Sequence, residues 1–417
     1  CKNKEKIYIR NLFRLRKGEF NMAGSLQYIR KFGNASFCDM PFCDADNVAL
    51  CQVFYMPFEK IVSDSFTDEP RNFGDVCRAM FSYNGNRHRA LGLMITKSVS
   101  VMMMEMAKHK RFSEMKIVAC TETFKTNPAV QFAAATFILP DGTLVVAFRG
   151  TDDSLIGWKE DTDLFVRRSI PSHALAVNYL ENVAKHFDGD IIVIGHSKGG
   201  NVALYSGLYC SEETRARIKA LYNNDGPGFF DNSPYRTKQY KELLSRYNHF
   251  IPSSSFVGVL LAFDKDYTVV KSKRLLGPMQ HDLSTWQIVD CDIKTLPRPS
   301  RLARINELCL SGILYRISRE QSSNFDRVTS AVIEGTVQTN RLGVSKHIPS
   351  VVKGTVETWK GLDESAKKEF KETFSGSKEI IKDSVKLAVI EGSEKAKGDV
   401  LEDLEAKGVN LEALLQK

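Results

Sequence analysis

The chain has 417 residues, of which 43% are hydrophobic and 26% charged. Those proportions suit one large globular domain with a smaller appendage and exclude disorder across the whole chain. A formal net charge of +8 is modest for this length. No zinc-finger spacing or glycine-aromatic motif accompanies it, so a nucleic-acid partner is not expected.

Residues 1–21 are rich in basic side chains and read as an N-terminal extension, with Met22 as a candidate natural start. No apolar leader segment follows, which makes a cytoplasmic location the expectation. The most apolar run, residues 256–263, is too short to span a bilayer. The nine cysteines are scattered, odd in number and free of any CxxC pair. They are expected to be free thiols in a reducing compartment rather than a disulfide framework.

Residues 22–110 read as mostly helical and irregular, with a helix expected over 91–112 and its methionines at 102–104 filling core space. The texture then changes. Residues 116–124 alternate and are rich in β-branched side chains. Residues 129–139, the turn PDGT and residues 144–148 follow as a predicted antiparallel pair. Helical spacing over 173–187 places Ala174, Val177, Leu180, Val183 and Ala184 on one face. Residues 191–194, IIVI, form a short wholly apolar strand of the kind buried on both sides of a parallel sheet. Helix over 201–210, strand over 218–225, helix over 235–250 and strands over 255–263 and 284–289 complete the alternation. The fold class this predicts is α/β: a mainly parallel central sheet flanked by helices. One more packing helix is expected over 302–320. From about 324 the sequence carries short amphipathic stretches broken by Gly and Pro. The expected division is therefore an extension at 1–21, a main domain at 22–323 and a helical tail at 324–417. The tail is expected to dock on the protein's own core or on a protein partner.

The sharpest motif is Gly195-His196-Ser197-Lys198-Gly199, with Gly200 after it. It leaves a buried strand and opens a helix. A serine at such a turn is forced into a strained backbone that lifts its hydroxyl above the sheet, and glycine is needed two positions to either side to avoid collision. Helix N–H groups nearby favour developing negative charge. Ser197 is therefore the candidate nucleophile, with Gly195 and Gly199 shaping the elbow.

A serine needs a base. Three histidines follow His196, at 249, 281 and 347. His281, in a loop after the last long predicted strand, is the natural base. The acid is expected at the end of the strand before it, at Asp264 or Asp266. Asp266 is favoured because it opens a turn into YTVV, with Asp264 as the alternative acid. Asp225, in NNDGPG, is a third candidate. The oxyanion hole would draw on the N–H of Lys198 and on Thr151, at a strand-to-loop junction where Gly150 allows a close turn and Arg149 braces the loop.

The segments VVAFRGTDDSLIGWKEDTDL (145–164) and VIGHSKGGNVALYSG (193–207) resemble the class 3 lipases and, more closely, their bacterial relatives in the Mbeg1-like family. NNDGPGF (223–229) and the pattern over 264–286 are similar to that family as well. The resemblance covers roughly residues 25–300. It implies an α/β-hydrolase fold, Ser197 as nucleophile, His281 as base, an aspartate near 266 and Thr151 in the oxyanion region. The expected activity is hydrolysis of carboxylic esters, lipids among them, with no metal or organic cofactor. Peripheral contact with a membrane is a further expectation. The rival from a different class is a non-catalytic binding module that keeps the same fold.

Overall fold

The computed structural model describes residues 24–83, 98–152, 154–261, 264, 266–274 and 277–300, with isolated positions at 361, 364, 367 and 368. The expected helix over 302–320, the N-terminal extension and nearly all of the tail lie outside the described residues.

The first part of the chain is a helical layer: α1 (Ser25–Phe32), α2 (Asp44–Val53), α3 (Phe73–Tyr83), α4 (Ser98–Met106) and α5 (Lys110–Ser113), with the two-residue strand β1 (Arg71–Asn72) before α3. The predicted single helix over 91–112 is interrupted in its described part, because the chain turns between α4 and α5. Met102 and Met103 are buried in the core, as the sequence predicts.

Three antiparallel strands follow: β2 (Lys116–Lys125), β3 (Val130–Ile138) and β4 (Leu144–Phe148). Then helices and strands alternate: α6 (Leu155–Asp163), α7 (Pro171–His186), β5 (Ile191–His196), α8 (Lys198–Tyr209), α9 (Glu212–Arg217), β6 (Ile218–Asn224), α10 (Lys238–Leu243), β7 (Tyr247–Pro252) and β8 (Thr268–Val270). The chain ends its described course with α11 (Gly277–Gln280), β9 (Ile288–Val289), β10 (Asp292–Ile293) and β11 (Thr295–Leu296). The nine-stranded sheet runs β1-β2-β3-β4-β5-β6-β7-β8-β11. β4 through β8 are parallel, and the strands at both ends are antiparallel. β9 and β10 pair separately. This is a mixed α/β protein with a largely parallel central sheet flanked by helices.

Strand alternation divides the core in two. Val145, Ala147, Ile192 and Ile194 point to the face covered by the N-terminal helical layer. Leu144, Val146, Ile191 and Val193 point to the opposite face, covered by α7 and α8. Because both faces are covered, the central strands are apolar along their whole length.

Three expectations are corrected. The helix over 235–250 is only α10 plus a short 3-10 turn, Leu244–Arg246, and residues from Tyr247 form β7 instead. Cross-strand pairing with β6 overrides the helical spacing there. The apolar run 255–263 is no strand in its described part but a bent loop after β7. It gains its apolar character from packing, with Val259 against Ile251. The buried face of α7 is rotated from the predicted one. Ala174 is exposed, while Ser172, His173, Ala176, Tyr179, Leu180 and Val183 are buried. Tyr179 goes inside because its hydroxyl donates to the carbonyl of Ala119 at 2.8 Å and lies 2.9 Å from Thr136 Oγ1.

The helical layer is pinned by an ion pair with no exposure at either side chain. Arg111 gives Nε and Nη2 to the two oxygens of Asp46, at 2.9 and 2.5 Å, and donates to the carbonyls of Ala35, Ser36, Met40 and Pro41. Tyr28 donates to Asp46 as well. Removing one partner strands the other charge in the core. Asp46→Ala is expected to lower stability by about 3–5 kcal/mol, read from the urea unfolding midpoint.

Candidate active site

β5 and β6 lie side by side and parallel, and each ends in a left-handed residue. Ser197 has φ 59° and Asp225 has φ 53°. Neither is glycine, so each turn costs backbone energy that the surroundings must hold in place. The two turns are tied together, because the N–H of Ser197 donates to the carbonyl of Asn224 at 3.1 Å. Asn224 in turn donates its amide to the carbonyl of Gly195 and exchanges two hydrogen bonds with Asn47 of α2.

The glycines are required by close approach. A Cβ at Gly195 would overlap the carbonyl of Gly199, and one at Gly199 would overlap the carbonyl of Phe148. Gly150 passes so near that a Cβ there would strike the hydroxyl of Tyr55 and the carbonyl of His196. These contacts bring the loop after β4 against the Ser197 turn.

The carboxylate beside His281 belongs to Asp225. Its Oδ2 accepts from His281 Nδ1 at 2.7 Å. Its Oδ1 accepts from the Ser255 hydroxyl at 2.5 Å and from the Gly258 N–H at 3.0 Å. Asp225 is fully buried and His281 is buried with it.

The two aspartates favoured by the sequence lie elsewhere. Asp264 is buried against His249, with Nδ1 to Oδ2 at 3.0 Å, and Asp266 is exposed. The cause is the strand assignment. Residues 255–261 form no strand leading toward Asp264, whereas β6 ends at Asn224, so Asp225 opens the turn directly beside that of Ser197.

Lys198 follows the serine and Thr151 follows Gly150, whose backbone passes close to Ser197, and both side chains are engaged. Thr151 Oγ1 donates to Asp161 Oδ1 at 2.7 Å, which leaves its N–H as the donor it could offer a ligand. Lys198 is buried and gives Nζ to Glu160 Oε2 at 2.7 Å and to Gln131 Oε1 and the Gln131 carbonyl. Glu160 also accepts from Ser172 and from the Gln131 N–H. Adjacent acids on α6, Glu160 and Asp161, therefore hold Lys198 and Thr151. Arg149 braces the loop as predicted, reaching Glu122 at 2.9 Å and Glu59 at 3.4 Å.

Sequence reasoning missed His196, Tyr55, Glu160 and Ser255. His196 occupies the variable position of the GxSxG motif, so the motif itself carried no signal for it. Tyr55 and Ser255 lie in segments with no motif, and Glu160 lies in the 145–164 segment at a position that nothing in the spacing singles out.

Among the described residues, no cluster of three or more His, Cys, Asp and Glu is arranged to hold a metal ion. No helix among them is long and apolar enough to cross a membrane. The described cysteines are free, and Cys51, Cys77, Cys120 and Cys210 are buried.

Fold and site together define a mixed α/β protein with a serine on a left-handed strand-to-helix turn and a His–Asp pair buried near it. The chain belongs to the Mbeg1-like family, whose model matches residues 106–329. No curated protein and no solved structure matches it.

Two outcomes are expected. Gly199→Ala forces backbone apart at the elbow and should cost about 1–3 kcal/mol, measured by thermal and urea melts. The second concerns Asp161. Burial outweighs the pull of Lys198 and the Thr151 hydrogen bond, pushing its carboxyl up from 3.8 to about 6. The folded state holds this proton where the unfolded chain has released it, so the charged form costs stability as pH rises through that window. Asp161→Asn keeps an acceptor for Thr151 and should be more stable than the parent at pH 8. That gain should vanish below pH 3.8, as followed by urea midpoints across the range.

Proposed function

We propose that this protein is a serine hydrolase of the α/β-hydrolase type, cleaving carboxylic esters through an acyl-enzyme. The observation that carries the reading is the 2.7 Å contact between His281 Nδ1 and Asp225 Oδ2, at the carboxyl ends of the central strands where Ser197 takes its left-handed turn. The acid in this reading is Asp225, in place of Asp264 or Asp266.

Asp225 accepts the Nδ1 proton of His281 and so leaves Nε2 as the basic nitrogen. His281 takes the proton of Ser197 as its oxygen bonds to the ester carbonyl carbon. The carbonyl π-electrons move to oxygen, and the N–H groups of Thr151 and Lys198 are the assigned donors to that oxyanion. The carbon–oxygen bond to the alcohol then breaks, and His281 returns its proton to the departing oxygen. Water, deprotonated by the same imidazole, attacks the acyl-enzyme and releases the carboxylic acid while Ser197 regains its proton. Stabilisation of imidazolium by the Asp225 carboxylate lowers both barriers. Lipid esters and contact with a lipid surface are included in the proposal, because the family resemblance runs toward lipases.

The test is labelling by a fluorescent fluorophosphonate together with hydrolysis of esters graded by chain length. Ser197→Ala should abolish labelling. Asp225→Asn should lower kcat by up to about four orders of magnitude, since the wrong tautomer of the base is then held. Asp266→Ala should leave both readouts near the parent. A folded parent that takes no label, with or without lipid vesicles, would shift the assignment to a non-catalytic binding module.

A further inference from the structure

The residue before the serine is a second histidine, and it is wired to the first. His196 Nε2 lies 2.8 Å from the main-chain carbonyl of His281, and its Nδ1 lies 2.9 Å from the hydroxyl of Tyr55. A carbonyl oxygen can only accept. Nε2 of His196 must therefore carry the proton, and Nδ1 is the lone-pair nitrogen that accepts from Tyr55. The direction of the whole chain is thus fixed: the Tyr55 hydroxyl donates to His196, and His196 donates to the carbonyl of His281. Burial holds His196 in its neutral form and keeps the Tyr55 hydroxyl protonated, so neither end reverses at ordinary pH. The two imidazoles lie face to face at a tilt, with centroids 4.5 Å apart and planes at 32°.

Tyr55 has no room to drift. Its hydroxyl packs so close to Gly150 that a Cβ there would overlap it. The same close approach puts the carbonyl of His196 against Gly150. The oxyanion loop, the serine turn and the loop bearing His281 therefore meet at this one hydrogen-bonded line.

We propose that Tyr55 and His196 are positioning residues that set the height and register of the His281 main chain relative to Ser197, an assignment that rests on the hydrolase reading above. Asp225 holds the ring of His281 and fixes its tautomer, but a ring held at one nitrogen can still swing about that bond. The second attachment, through the carbonyl, removes that freedom. It is made by the residue one peptide away from Ser197, so base and nucleophile are located from a common point. A displacement of about 1 Å at a reacting pair costs on the order of a hundredfold in rate, which is the scale such a fixing can control. Tyr55 comes from the turn after α2, so the N-terminal helical layer takes part in aligning the site.

The full chain is tested with Ser197→Ala as the control, measuring kcat and KM separately for an ester, fluorophosphonate labelling rate and melting temperature. His196→Leu removes the donor and is expected to lower kcat about tenfold to a hundredfold with KM within about twofold. Tyr55→Phe, one oxygen smaller, is expected to lower kcat up to about tenfold at an unchanged melting temperature. His196→Gln can still donate to the His281 carbonyl and accept from Tyr55, and should recover most of the loss. The low-field proton signal of the His281–Asp225 hydrogen bond should broaden in His196→Leu and sharpen again in His196→Gln. Parent-like kcat in both His196→Leu and Tyr55→Phe, or a Gln variant no better than Leu, would overturn the assignment while leaving the hydrolase reading intact. If His196→Leu does not fold, Tyr55→Phe alone decides, because it deletes no carbon. A parent that takes no label and cleaves no ester overturns both readings together.

Discussion

Everything at the site depends on the pairing of β5 with β6. The register joins Ile192 to Ala220 and runs to His196 beside Asn224, so both strands stop at the same height. Each then turns through a left-handed residue, and the Ser197 N–H reaches across to the carbonyl of Asn224. A strand pairing slipped by one residue would turn every side chain to the other face. It would also part the serine turn from the Asp225 turn. The bonds from the Ser197 N–H to the Asn224 carbonyl and from the Asn224 amide to the Gly195 carbonyl tie the strand ends in this register.

Around this pair the side chains of Asp225 and Asn224 are held by several partners each. The two oxygens of Asp225 take three donors, and the amide of Asn224 is matched by that of Asn47. Buried polar groups of this kind are tolerable only when partnered, and once partnered they specify one arrangement. Lys198 follows the same logic. A lysine beside the candidate nucleophile invites a chemical role, yet its ammonium is spent on Glu160 and Gln131. Its identity at that position is explained by folding, and its N–H is what it leaves for a ligand at the turn.

Much of this was legible in the sequence because it rests on local patterns. The serine elbow, β4, β5 and β6 are short apolar runs closed by glycine-rich turns, and they fall where the spacing puts them. The carboxylate that pairs with His281 was not legible to the same degree. The apolar run 255–263 has the composition of a strand, and the strand β7 hides in YNHFIP, whose polar residues break the expected texture. Only pairing with β6 decides between them, and that is a long-range interaction. With the strands misassigned, Asp264 and Asp266 looked like strand-end carboxylates and Asp225 looked one strand too early. The face of α7 failed for a related reason: Tyr179 and His173 are polar by type but enter the core with partners that sequence spacing does not reveal.

The family match begins at residue 106, yet one side of the sheet is covered by helices that precede it. Phe54, Phe58, Phe73, Val76 and Met80 are buried against Phe137 and its neighbours on that face. The stretch recognisable by descent and the stretch able to fold are therefore different lengths. A fragment trimmed to the recognisable boundaries would carry a bare apolar sheet face into water, the kind of surface that self-associates, so expression boundaries for this chain belong upstream of Ser25 rather than at the start of the match.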